Sequence, residues 1–222
     1  AKLDSKYSLA LDWASKNYDI EDFLSKVKEL KMANIKKLSI KNIDKLHKPI
    51  VQDTNKFLKM SGPDHLDYLY LHGDRVSIEP FKEGVASVWQ AVESQIYIDY
   101  FYLDETGLKT IFENWNNVKE IVLYLCNFGD INEFTIDNKG EYQLETLNLF
   151  GSCYKTWREK LNEPKMNLLI SALANTGIIK TLKRVYIDSR DYSADDLKQI
   201  FDKYGFNVKV FGTIDVPVSY DN

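Results

Sequence analysis

Apolar residues recur along this chain in a short figure, apolar-x-x-apolar-x-apolar, separated by stretches whose apolar residues fall at helical spacing. The clearest copies are Val118-x-x-Ile121-x-Leu123 and Leu144-x-x-Leu147-x-Leu149. Ile35-x-x-Leu38-x-Ile40, Leu66-x-x-Leu69-x-Leu71 and Leu182-x-x-Val185-x-Ile187 repeat it, and Val208 with Val210 predict a last short strand. Another copy reads Ile98-x-x-Phe101-x-Leu103, although Ile96 and Ile98 also alternate, so the segment from Ile96 to Leu103 admits two registers.

Between these strands the spacing predicts helices. Pro80 opens one carrying Phe81, Val85, Val88, Trp89 and Val92, and Leu108, Ile111, Phe112 and Trp115 supply a short one. Leu46 to Met60, with Pro49, reads as a short helix plus loop. Pro164 opens a helix ending near Asn175-Thr176-Gly177, and Ser193 with Asp196 caps another that Gly205 stops. Residues 5 to 32 read as two amphipathic helices, one with Leu9, Leu11 and Trp13, the next following Asp19 with Phe23, Leu24, Val27 and Leu30. Strands alternating with helices pair in parallel, because a crossover helix returns the chain to the same edge of the sheet. Between Leu38, Leu69, Phe101, Ile121, Leu147 and Val185 the steps are roughly 31, 32, 20, 26 and 38 residues by subtraction.

These cores, with Cys126 in the place such repeats fill with Asn or Cys, resemble the ribonuclease-inhibitor-like class of leucine-rich repeat. The resemblance covers roughly residues 35 to 211 and is strongest from Val118 to Gly205. It implies an α/β fold: a leucine-rich-repeat solenoid, a right-handed βα superhelix with a parallel inner sheet. Residues 1–33 would then be a helical N-terminal cap, 34–212 an irregular repeat array and 213–222 a C-terminal tail. The uneven steps and the insertion before Leu182 mark the array as divergent. A doubly wound α/β domain is the competing fold; it calls for strands of continuous apolar residues and, where it binds nucleotides, a glycine-rich turn, and the sequence has neither.

With 222 residues and 44% hydrophobic content the chain can bury a sizeable core. A net charge of −4 gives no clustered basic surface for nucleic acid. Cys126 and Cys153, the two cysteines, suit a reducing compartment, and the expectation is an intracellular, cytoplasmic or organellar protein. No apolar run approaches the roughly 20 residues that span a bilayer, and Ala1 to Ser5 lack the apolar segment of a secretory signal.

In the class it resembles, the free strand positions point away from the helices and line a concave sheet. Here they are Lys37, Ser39 and Lys41; Tyr68, Tyr70 and His72; Tyr100, Tyr102 and Asp104; Glu120, Val122 and Tyr124; Thr146, Asn148 and Phe150; Arg184, Tyr186 and Asp188. Tyrosine offers a rigid apolar ring with a polar tip and is enriched at binding hot spots. The expected partner-binding residues are therefore Tyr68, Tyr70, His72, Tyr100, Tyr102, Tyr124, Phe150, Arg184 and Tyr186. The plain alternative is that the tyrosines cover one another across neighbouring strands.

The expected role is a non-catalytic interaction module that binds a protein or peptide, with a permanently assembled subunit of a larger complex as the alternative. An α/β enzyme with an unrecognised site is a third reading. Catalytic signatures are wanting, and no cofactor or metal is expected. The cluster Asp64, His65, Asp67, His72 and Asp74 sets its two histidines on opposite strand faces. Cys126 fits a buried small apolar group better than a nucleophile. The lysines from Lys26 to Lys48 are interleaved with acids and apolar residues and read as a solvated face, which could also seat an acidic partner.

Overall fold

The computed structural model describes residues 2–5, 8–13, 21, 25, 35–43, 50–61, 65–129, 131–132, 135–138, 140–152, 163–190 and 192–213. Its strands are β1 (Lys2–Ser5), β2 (Ser8–Asp12), β3 (Lys37–Ile43), β4 (Leu66–Gly73), β5 (Val92–Asp99), β6 (Glu120–Tyr124), β7 (Thr146–Asn148), β8 (Arg184–Asp188) and β9 (Lys209–Thr213). Its helices are α1 (Ile50–Ser61), α2 (Lys82–Ala86), α3 (Glu105–Asn114), α4 (Glu163–Ala174), α5 (Ile178–Thr181) and α6 (Ala194–Lys203). All the strands form one sheet in the order β1 to β9, so each spatial neighbour is also the neighbour in sequence. From β2 onward every pairing is parallel, and β1 alone runs antiparallel. A doubly wound sheet would reverse its strand order at a switch point; this sheet never does.

The apolar figure places one row of the core. Leu9, Leu38, Leu69, Ile96, Ile121, Leu147, Val185 and Val210 pair in succession across the sheet. They belong to a single cluster with Leu58 of α1, Val85 of α2, Ile111 and Phe112 of α3, Leu169 and Leu173 of α4, and Leu197 and Phe201 of α6. Each fully buried leucine or isoleucine contributes about 1.5–3 kcal/mol. Tyr68, Tyr70, Tyr97 and Val122 form a second, separate cluster on the opposite face, and no helical residue joins it. The described helices therefore pack on one face only.

The strands end in a recurring corner. Two residues past the last core position the backbone turns left-handed at Asn42 (φ 57°), Tyr100 (φ 66°), Leu125 (φ 49°) and Gly151 (φ 73°). Beyond it, isolated parallel bridges join Ser77 to Tyr102 and Tyr102 to Asn127, each between buried apolar neighbours such as Phe101 and Leu103 or Cys126 and Phe128. Cys126 Sγ donates to Ile98 O at 3.4 Å, and Ser152 Oγ donates to Leu123 O. Ile98 and Leu123 are paired in register, so the two hydrogen bonds are one device used at successive corners.

Two expectations are corrected. Residues 8–12 form a strand, not the first helix of a cap: Ser8-Leu9-Ala10-Leu11-Asp12 alternates with period two, and pairing with β3 buries Leu9 and Leu11 together. The second cap helix lies outside the described residues apart from Glu21 and Ser25, both helical, as do the interruption 153–162 and the tail beyond Thr213. The helix expected after Pro80 is broken into a 3-10 turn (Glu79–Phe81), α2 and a further 3-10 turn (Trp89–Ala91), because Val92 already enters the sheet. None of the described helices is long and apolar enough to cross a membrane.

Candidate binding face

The face away from the helices carries three rows of side chains. Along one edge run Ser8, Lys37, Tyr68, Gln95, Glu120, Thr146, Arg184 and Lys209; along the middle run Ala10, Ser39, Tyr70, Tyr97, Val122, Asn148, Tyr186 and Phe211. His72, Asp99 and Tyr124 pair along the far edge. The expected residues of the fifth strand are therefore replaced. Gln95, Tyr97 and Asp99 stand where Tyr100, Tyr102 and Asp104 were placed, because β5 uses Ile96 and Ile98 for the core, in register with Ile121 and Leu123.

The displaced residues have other work. Tyr100 occupies the left-handed corner, with the Arg75 guanidinium 5.7 Å from its ring centre. Tyr102 lies in the bridge beyond the corner, over Gly129, where any side chain would run into its ring. Asp104 caps α3 by accepting from Gly107 N at 2.8 Å.

The tyrosines pack on one another. Ring centres are 5.2 Å apart for Tyr70 and Tyr97, 6.0 Å for Tyr97 and Tyr124, 6.0 Å for Tyr124 and Phe150, and 5.1 Å for Tyr186 and Phe211. Such pairs contribute about 0.5–1.5 kcal/mol each beyond their burial. Mutual cover is deep: Tyr68 is 6% exposed, Tyr70 7%, Tyr97 2% and Phe150 3%. His72, Tyr124, Arg184 and Tyr186 are half-buried and reach solvent, and Phe211 is 39% exposed.

Polar groups sit among the rings. Tyr70 OH donates to Asp99 Oδ2 at 2.8 Å, and Lys41 Nζ lies 5.9 Å from the Tyr70 ring centre. Burial, helped by Asp99, pushes the Tyr97 hydroxyl well above the ordinary tyrosine range, so it remains a proton donor. Burial also raises the Glu120 carboxyl, against an opposing hydrogen bond from Gln95 and the field of Arg184. Asp188, 1% exposed, is held below its usual range by a two-point pair with Arg190.

The candidate chemistry elsewhere separates. His65 Nδ1 lies 2.9 Å from Glu93 Oε1 in solvent, while His72 Nδ1 accepts from Asn42 N at 3.2 Å. Burial drives the Cys126 thiol far above its ordinary value, leaving it without nucleophilic character. Among the described residues there is no group of His, Cys, Asp and Glu fit to hold a metal ion. Pairing register, not composition, brings Gln95, Tyr97 and Asp99 to the face; the alternation of Ile96 and Ile98 was the signal for them. No protein-family model matches the chain, and neither a curated protein nor a solved structure matches it.

Proposed function

We propose that the chain is a divergent leucine-rich-repeat arc whose helix-free face binds a protein or peptide without catalysis. The observation that carries this reading is the sheet itself: strictly sequential parallel strands, helices on one side, and a second face left to polar-tipped aromatics. In the observed register the steps between core residues from Leu9 to Val210 are roughly 29, 31, 27, 25, 26, 38 and 25 residues by subtraction. Most fall at or near the 20–29 of this repeat class. Val118-x-x-Ile121-x-Leu123-x-x-Cys126-x-Phe128 matches its longer pattern, and the Cys126 and Ser152 hydrogen bonds tie each unit to the one before.

Contact falls to the residues that reach solvent: His72, Tyr124, Arg184, Tyr186 and Phe211. A photo-crosslinking residue at position 186 should trap a partner that the same residue at position 198, on α6, does not. Equal trapping at both positions, or at neither, overturns the reading.

Assembly into a permanent complex is the second reading, favoured by one observation. Phe211 stands 39% exposed on β9, the last described strand of the sheet, stacked on Tyr186. Exposed aromatics of this kind are covered in obligate assemblies. Size-exclusion chromatography with mass measurement separates the two: a free binder elutes as a monomer, an orphaned subunit associates or precipitates.

A further inference from the structure

The edge row of the helix-free face contains a place built to receive hydrogen-bond donors. Gln95 and Glu120 are directly paired on β5 and β6. Gln95 is 8% exposed, and among the described residues nothing donates a hydrogen bond to its Oε1. Glu120 is half-buried; the Gln95 amide donates to it and Arg184 acts on it from a distance, but among the described residues no cation forms an ion pair with it, and burial outweighs both. The nearest cation in the row, Arg184, is engaged elsewhere: its Nε donates to Thr146 Oγ1 at 3.2 Å and its Nη2 lies 3.8 Å from Glu145 Oε2. Across β4 to β7 the face carries no lysine or arginine at all. An under-compensated carboxylate beside a buried, unmet acceptor costs the fold free energy, and a ligand that supplies donors recovers it.

We propose that Gln95 and Glu120 together receive an arginine side chain from the bound segment. The proposal rests on the binding role given above and names the chemistry of its partner. Arginine suits the pair better than lysine. Two acceptors on adjacent strands stand about 5 Å apart, and a planar guanidinium presents donors in a fixed fork that a single ammonium cannot match. The cations of the face lie to either side, Lys37 and Lys41 on β3 and Arg184 and Lys209 on β8 and β9. Each flank is roughly 10 Å from the pair, or about three residues of extended chain. The complementary segment therefore carries a central arginine with an acidic residue about three positions away on each side.

The test uses fluorescence anisotropy on the full chain with a labelled peptide Asp-Gly-Ser-Arg-Ser-Gly-Asp and its citrulline counterpart, which keeps the shape and loses the charge. The arginine peptide should bind, and citrulline or Glu120→Gln should each weaken it about ten-fold. Glu83→Gln, which removes the same charge from the exposed pair with Lys59 on the helical side, should change nothing. Thermal melts accompany each variant, and Glu120→Gln, which keeps the side chain's shape, should melt no lower than the parent. Equal affinity for both peptides, no response to Glu120→Gln, or no binding by the parent overturns the proposal. If both peptides bind alike yet are lost on Tyr124→Ala with Tyr186→Ala, only the arginine site falls and the binding face stands. If binding is indifferent to every face variant, the binding face falls with it.

Discussion

A carboxylate held above its normal range by burial favours the fold only when it carries a proton. For Glu120 that advantage is complete below the ordinary glutamate value of 4.5 and is lost as pH rises through the higher folded-state value. Glu120→Gln, which cannot ionise, should therefore raise the thermal midpoint at neutral pH and leave it unchanged in acid below that value; melts across a pH series check this. At Gly151 the constraint is conformational. Its φ of 73° is costly for any L-residue, and a methyl there would press into the Leu125 side chain. Gly151→Ala should lose about 1–2 kcal/mol in urea unfolding, chiefly through the left-handed backbone.

At the level of single elements, α3 begins where Asp104 accepts from Gly107 N, and Asp104→Ala should cost about 1 kcal/mol in the same urea assay. The apolar figure by itself puts that residue on the binding face. A core followed by its corner, as in Val118 to Phe128, contains the figure apolar-x-x-apolar-x-apolar twice, five positions apart, once ending at Leu123 and once at Phe128. In the fifth strand Ile96 and Ile98 fill the last two places of one frame, whose first place is Glu93, while Ile98, Phe101 and Leu103 fill the whole of the other, so periodicity points to the frame the sheet does not use. Pairing with Leu69 and Ile121 chooses, and pairing is non-local. The strands β3, β4, β7 and β8 were legible because only one frame fits each of them, and β6 because its β-branched Ile121 and Val122 favour the frame ending at Leu123. The N-terminal strand was not, since Leu9 and Trp13 also satisfy a helical turn and only contact with β3 decides the matter. Of the candidate face, Tyr124, Arg184 and Tyr186 were placed from sequence, while the depth to which Tyr68, Tyr70 and Phe150 are buried needed coordinates.

For the molecule as a whole, each strand and its helix contact mainly the units on either side, so stability is passed from neighbour to neighbour. Val185→Ala, which removes buried methyls from β8, should cost about 2 kcal/mol. Its effect should be graded: native-state hydrogen exchange should show β8 and β9 losing protection first, with β4 to β6 keeping most of theirs. A uniform loss across all strands would mean the chain unfolds as one indivisible block.

The reversed first strand gives this stack a direction of growth. A further unit of the same orientation added outside β1 would have to pair antiparallel, whereas one following β9, the last described strand, would continue the parallel ladder. Anyone lengthening the protein by duplicating modules should add them after β9, where Phe211 is ready to become interior.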